Sequence, residues 1–300
     1  MDLLGANNCG EYPNCSHHSP QLTRSQSGIS ALVSVILQRE TYEPVLLERR
    51  TQRARIQTNN PNLRHPHSTD LTQKQIFTRA IVRPVKLLFK SPIVFMASVY
   101  VSLAYGYTYL LFTSFGSLFA DIYGFSQSTV GLTFLGIGIG STIGLVTFGA
   151  LSDKLCLRLS QRGSGGWKPE HRLPPLLPGS LIVPLGLLWY GWSAQAKVHW
   201  IMPIIGSGWV GLGTIAIFMP VQTYLVDAFP LYAASAAAAN TILRSLAGAF
   251  LPLAGPKMYE TLGQGWGNSL LAFIALVFTP LAWIMLKYGE RFRTSFPVSL

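Results

Sequence analysis

Charge is scarce in this sequence, and it is rarest where the chain is most apolar. Only 12% of the 300 residues are Asp, Glu, Lys or Arg, about half the share in an ordinary soluble domain. So few charges cannot cover a soluble surface, and a water-soluble globular fold is excluded. Cysteine is equally sparse. Cys9, Cys15 and Cys156 are an odd set without framework spacing, so no disulfide scaffold is implied. The twelve carboxylates avoid the long apolar runs, and the nearest ones (Asp121, Asp153, Asp227 and Glu260) only border them. All six histidines also lie outside. Catalysis or metal binding at membrane depth needs a base or a ligand set there. The nucleotide-binding pattern G-x-x-x-x-G-K-[ST] does not occur either. No catalytic residue, no metal ligand and no cofactor is therefore expected, and the chain is read as not an enzyme.

Long uncharged stretches take the place of those groups. Thirty uncharged residues separate Lys90 from Asp121, and thirty-one separate Asp121 from Asp153. About 20 apolar residues at about 1.5 Å each suffice to cross the roughly 30 Å hydrocarbon layer. Six spans are expected: 92–120, 128–151, 175–194, 200–226, 233–255 and 266–287. The expected fold is an all-α membrane protein, with a six-helix transmembrane bundle over 91–287. A further apolar stretch over 28–38 is too short to span.

Lys and Arg set the orientation. With residue 90 on the cytoplasmic side, inside segments 39–90, 152–173, 227–232 and 287–300 hold 11, 5, 0 and 3 basic residues. Outside segments 121–127, 195–199 and 256–265 hold 0, 1 and 1. This is a strong positive-inside pattern. It explains the net charge of +11 as topology, and no nucleic-acid partner is expected.

Residues 1–27 are polar and read as a disordered tail. Residues 39–90 read as a basic cytoplasmic loop, and 288–300 as a cytoplasmic tail. Near the end of the loop, Phe77, Ile81, Val85 and Leu88 recur at helical spacing, with Arg79, Arg83, Lys86 and Lys90 on another face. That pattern predicts a helix on the inner leaflet, with a kink at Pro84. It serves either as a topogenic anchor or as a lipid site. The second span carries Gly136, Gly140 and Gly144 on one face, and the fourth carries Gly206, Gly208, Gly211 and Gly213. Such faces allow close helix packing without hydrophobic drive, either static or sliding during a transport cycle.

Apart from Lys287 at the very end of the last span, Arg244 is the one charge inside a span, and a central Arg costs roughly 2.5–3.5 kcal/mol on insertion scales. Its helical neighbours Asn240, Thr241, Ala247 and Gly248 form a small, polar face. Three readings stay open. Arg244 binds substrate or a counter-charge in a cavity, hydrogen-bonds backbone carbonyls, or snorkels to the interface. In the first span, Ser102, Tyr105, Tyr109 and Phe112 share a face that suits a flat amphipathic ligand or plain aromatic packing. Gln222 and Thr223 add polar candidates in the fourth. The candidate cavity residues are Tyr105, Tyr109, Phe112, Gln222, Asn240 and Arg244.

The segments RETYEPVLLERR (39–50), GALSDKL (149–155), KPEHRLPPLLPGSLIVPLGLLWYGWSA (168–194) and YLVDAFPLYAASAAAANTILRSLAGAFLPL (224–253) carry a resemblance. They resemble fungal drug:proton antiporters of the major facilitator superfamily, of the twelve-helix type, over roughly residues 28–300. Only the second half of that family is matched. The resemblance makes 28–38 the remnant of a sixth helix and the six spans helices seven to twelve. It makes Gly149, Asp153 and Lys154 a second-half copy of the family's cytoplasmic gate motif. A truncated gene or misplaced start would account for helices one to five having no counterpart. The implied function is efflux of a small organic compound, such as a drug, toxin or secondary metabolite, by alternating access in the plasma membrane. The implied partners are the small-molecule substrate, the lipid bilayer and a second six-helix half. The alternative is a non-transporting remnant or an interaction subunit.

Overall fold

The computed structural model describes residues 43–58, 73–162 and 168–295. The stretches 1–27 and 28–38 lie outside the described residues. Helix α1, Glu43–Thr58, belongs to one compact unit, and all later elements belong to a second. In that second unit α2 is Gln73–Lys90, α3 Pro92–Ser117, α4 Gln127–Thr133 and α5 Leu135–Arg162. They are followed by α6 Leu176–Gln195, α7 Ile201–Ala228 and α8 Ala233–Ser295. Among the described residues every regular element is helical, as backbone in hydrocarbon requires. The chain is a multi-pass membrane protein of all-α class.

Five helices are long and apolar enough to cross a membrane, where the sequence predicts six spans. The difference lies in α8, whose 63 residues would measure about 95 Å if straight. Gly263 breaks it, with φ 73° and ψ 175°, a conformation that glycine enters without a Cβ penalty. The Tyr259 hydroxyl donates to Asn268 Oδ1 at 3.1 Å. Nine residues of straight helix would separate that pair by about 13 Å, so the chain reverses there. The Gly265 amide donates to Gln195 Oε1 at 2.6 Å and ties the reversal to the end of α6. The stretches 233–255 and 266–287 are thus two arms of one broken helix.

Other boundaries differ by local chemistry. A turn at Phe134 separates α4 from α5, and α5 runs eleven residues past residue 151 into the basic segment. Pro84 lies inside α2, as expected of a proline within this helix, and is buried. Leu88, grouped by spacing with Phe77, Ile81 and Val85, is only 3% exposed, because it packs into the protein while those three point outward.

Helix α7 is central, and small residues let its neighbours approach. A Cβ on Gly140 of α5 would overlap the carbonyl of Gly208. A Cβ on Gly206 would sit 2.7 Å from the backbone nitrogen of Tyr190 in α6. Polar bonds then fix α3 across this layer: Thr108 with Thr214 of α7 at 3.1 Å, and Ser114 with Tyr190 of α6 at 3.1 Å. On the far face of α5, Ile139 and Val146 are exposed, as lipid-facing side chains are. We expect Gly140→Ala to lower the thermal stability of the detergent-solubilised chain by about 1–3 kcal/mol through overpacking. Gly138→Ala, whose Cβ would meet nothing within 4 Å, should be neutral or slightly stabilising. Equal midpoints for both would contradict the close α5–α7 contact.

Candidate functional site

Two polar assemblies stand out against the apolar bundle, and the deeper one surrounds Arg244. Phe218 and Gln222 lie one turn apart on α7, and Asn240 and Arg244 lie one turn apart on the first arm of α8. The two helices pair these residues in antiparallel order. Asn240 Nδ2 donates to Gln222 Oε1 at 2.9 Å, while the Arg244 guanidinium carbon stands 5.3 Å from the centre of the Phe218 ring. Tyr105 of α3 supplies a second ring, with its centre 4.5 Å from the guanidinium carbon. The two rings meet edge to face at 5.4 Å.

To the three readings of Arg244 the structure adds an aromatic setting. Among the described residues Arg244 makes no ion pair and no hydrogen bond. Its charge rests on two π faces. A cation on an aromatic face gains about 0.5–1 kcal/mol where exposed and about 2 kcal/mol where desolvated. Two such faces offset much of the cost of a central Arg. The five N–H donors, which a ring face does not consume, stay available to a ligand or to water. Asn240 is 1% exposed, and its Oδ1 has no partner among the described residues.

The other expected cavity residues divide. Tyr109 is 44% exposed and packs edge to face on Phe112 at 5.8 Å. Phe112 is half-buried and packs on Phe134 at 5.4 Å. Structure thus brings Tyr105, Gln222, Asn240 and Arg244 together, with Tyr109 and Phe112 one to two turns farther along α3. Spacing missed Phe218, because a lone Phe in an apolar span carries no signal until its neighbour across α8 is known.

The second assembly sits at the end of the bundle where α7 finishes and α6 begins. The five residues Lys168–Arg172 precede α6 and carry a charge at most positions. Arg172 donates from Nη1 to Asp153, nine residues before the last residue of α5, at 2.9 Å, and from Nε to Asp227 at the end of α7. Glu170 accepts from Arg293 Nε at 3.1 Å, and Lys168 meets both oxygens of Glu290 at 2.8 Å. That contact, foremost the hydrogen bond from Lys168, holds the Glu290 carboxyl below its usual range. One short segment therefore clamps α5, the end of α7 and the second arm of α8. Of the expected gate residues, Asp153 takes part in the clamp, whereas Lys154 is exposed with no partner among the described residues. Gly149 faces open space, where a Cβ would touch nothing within 4 Å. Arg172 went unnoticed in the sequence, although acids at two span ends and an unassigned Arg before the third were visible.

At the opposite end, Asp121, Thr113 and Ser117 of the α3 region and Tyr259, Glu260 and Gln264 of α8 line a cavity of about 310 Å³. Among the described residues no group of three or more His, Cys, Asp or Glu could hold a metal ion.

Residues 27–252 match the family described as Major Facilitator Superfamily. The chain is 56% identical over 267 residues to the MFS-type transporter penM of Penicillium rubens, covering 89% of this chain and 52% of that protein. It is 52% identical over 273 residues to the MFS-type transporter tndD of Aspergillus flavipes, covering 90% and 51%. The MFS transporter cpaT of Aspergillus oryzae is 51% identical over 267 residues, covering 89% and 54%. The chain thus spans about half the length of these curated relatives.

The clamp predicts unequal roles for its two acids. Asp227 and Arg172 have side chains only 22% and 24% exposed, whereas Asp153 is 71% exposed. Asp227→Ala should cost about 1–3 kcal/mol of thermal stability in detergent, as loss of a partly buried charged partner does. Asp153→Ala should cost less than about 1 kcal/mol. The reverse order would show that Arg172 is anchored through α5 instead of α7.

Proposed function

The chain belongs to the Major Facilitator Superfamily, and from that premise we propose that it forms one six-helix half of an alternating-access transporter. The second half, a separate partner or a further part of the same protein, supplies the facing wall of a central cavity, as paired halves do in this class of carrier. The cargo is a small organic compound exported across the plasma membrane, of the drug, toxin or secondary-metabolite kind. Relatives bearing transporter names support this reading.

The observation that carries it is Arg244. An arginine at mid-span, held on two aromatic faces with its hydrogen-bond donors unspent, suits a planar, acceptor-bearing ligand. Such a ligand could take the guanidinium edge in a bidentate contact while its apolar part lies along Tyr105 and Tyr109. Asn240 and Gln222 add an amide pair one turn towards the cytoplasmic side. Phe112 continues the aromatic wall, and Gly149, Asp153 and Lys154 form part of the gate with Arg172.

Joined to the first half of a full-length relative and expressed in a pump-deficient strain, the chain should restore export. Expressed alone it should leave drug tolerance unchanged. In the joined carrier, Arg244→Ala should cut export at least about tenfold at unchanged protein level, a loss of about 1.4 kcal/mol of binding. Arg244→Lys should also lose most activity, because an ammonium is a point charge without the guanidinium plane and fork. Normal export by both variants at normal abundance would overturn the site. A joined carrier that is abundant, correctly inserted and inactive would favour a non-transporting interaction role.

A further inference from the structure

Helix α2 divides around its circumference into three sectors when its residues are set at about 100° intervals. Pro84 and Leu87 form one, buried against the protein, and Leu88, at its edge beside the angle of Phe77, is buried with them. Phe77, Ile81, Val85 and Phe89 form the next, four residues apart and 69%, 54%, 41% and 74% exposed. Arg79, Arg83 and Lys86 form the third and, with Thr78 and Val82, line a cleft of about 360 Å³. These three cations have no ion-pair partner among the described residues. Ser91 alone separates α2 from α3, the first membrane-crossing helix.

We propose that this face of α2 is a binding site for an anionic glycerophospholipid of the cytoplasmic leaflet. The stripe Phe77–Ile81–Val85–Phe89 needs apolar cover, since a run of exposed large apolar side chains marks an interaction surface. The adjoining sector needs negative charge, and guanidinium groups match phosphate oxygens in a forked geometry. One molecule carries both features at the required adjacency: acyl chains beside a phosphate head. The position of α2 supplies the setting, because it adjoins the first spanning helix on the side where basic residues gather, and that leaflet bears the anionic lipids. A soluble anion would satisfy the cations and leave the stripe bare. An amphipathic partner helix would cover the stripe but would have to bring its own acidic row. The lipid needs no further partner. The inference is independent of whether the chain transports anything.

The test is native mass spectrometry of the purified full chain from detergent micelles, mixed with phosphatidylserine or with phosphatidylcholine of the same acyl chains. The chain should retain phosphatidylserine in preference to phosphatidylcholine. Arg79→Gln/Arg83→Gln/Lys86→Gln should weaken retention by about a hundredfold, about fivefold per neutralised cation. Lys154→Gln/Arg158→Gln/Arg291→Gln, which removes three exposed cations elsewhere on the cytoplasmic side, should leave it unchanged. Phe77→Ser/Phe89→Ser should also weaken it, and inorganic phosphate should not displace the lipid. Equal retention of the two lipids by the unaltered chain would overturn the proposal, and that comparison needs no variant to fold. Equal losses in both charge triples would reduce the effect to bulk surface potential and overturn it. Displacement by phosphate alone would replace the lipid with a free anion.

Discussion

The surroundings of Arg244 depend on how closely α7 approaches α5 and α6. In hydrocarbon no hydrophobic force draws helices together, so van der Waals contact over small residues has to do so. The Gly140–Gly208 crossing brings the backbones of α5 and α7 into contact, and Gly206 admits the backbone of Tyr190. With α7 fixed between these neighbours, its opposite edge presents Phe218 and Gln222 to α3 and α8. Arg244 then finds two rings and Asn240 finds an amide. Without that crossing, Arg244 would lose the Phe218 ring and Asn240 its amide partner.

The same placement of α7 organises the end of the bundle where α7 finishes. Asp227 lies at the end of α7 and Asp153 in the later half of α5, and a single Arg172 reaches both. The Lys168–Arg172 segment then extends the connection to the second arm of α8 through Glu170–Arg293 and Lys168–Glu290. Two tiers result, an aromatic cation site at depth and an ionic clamp at the rim, joined by one helix. The pairs differ in burial: Arg172–Asp227 and Arg293–Glu170 are mostly buried, whereas Lys168–Glu290 and the Asp153 side of Arg172 face solvent, where an ion pair contributes little.

The helical membrane fold was legible because hydrocarbon thickness and Lys/Arg placement constrain sequence directly: long uncharged runs and one-sided basic loops have few other readings. Part of the candidate site was legible for a related reason. A charge at mid-span is costly enough to mark itself, and Asn240 sits one turn from Arg244 on the same face. What stayed hidden depends on contacts between distant segments. Phe218 matters only because it opposes Arg244, and Arg172 only because acids of two helices lie beside it. Leu88 and Phe89 are equally apolar neighbours, and only packing decides which is buried. The reversal itself was legible, since spans 233–255 and 266–287 require one over 256–265; only its pivot at Gly263, within GQGWG, was not distinct from the packing glycines of α5 and α7.

The central claim is that the Arg244 face lines a water-filled, substrate-accessible cavity when both halves are present. The most direct measurement is thiol accessibility at Ala247, one turn from Arg244 on the same face of α8. Ala247→Cys is placed in the joined carrier, in a background free of other cysteines, and modified with a membrane-impermeant thiol reagent with and without the transported compound. The account predicts modification that the compound slows, while a cysteine replacing the outward-facing Phe250 stays unmodified. An Ala247→Cys carrier that still exports while its thiol stays unmodified would mean that Arg244 sits in dry packing, and the cavity assignment would be wrong.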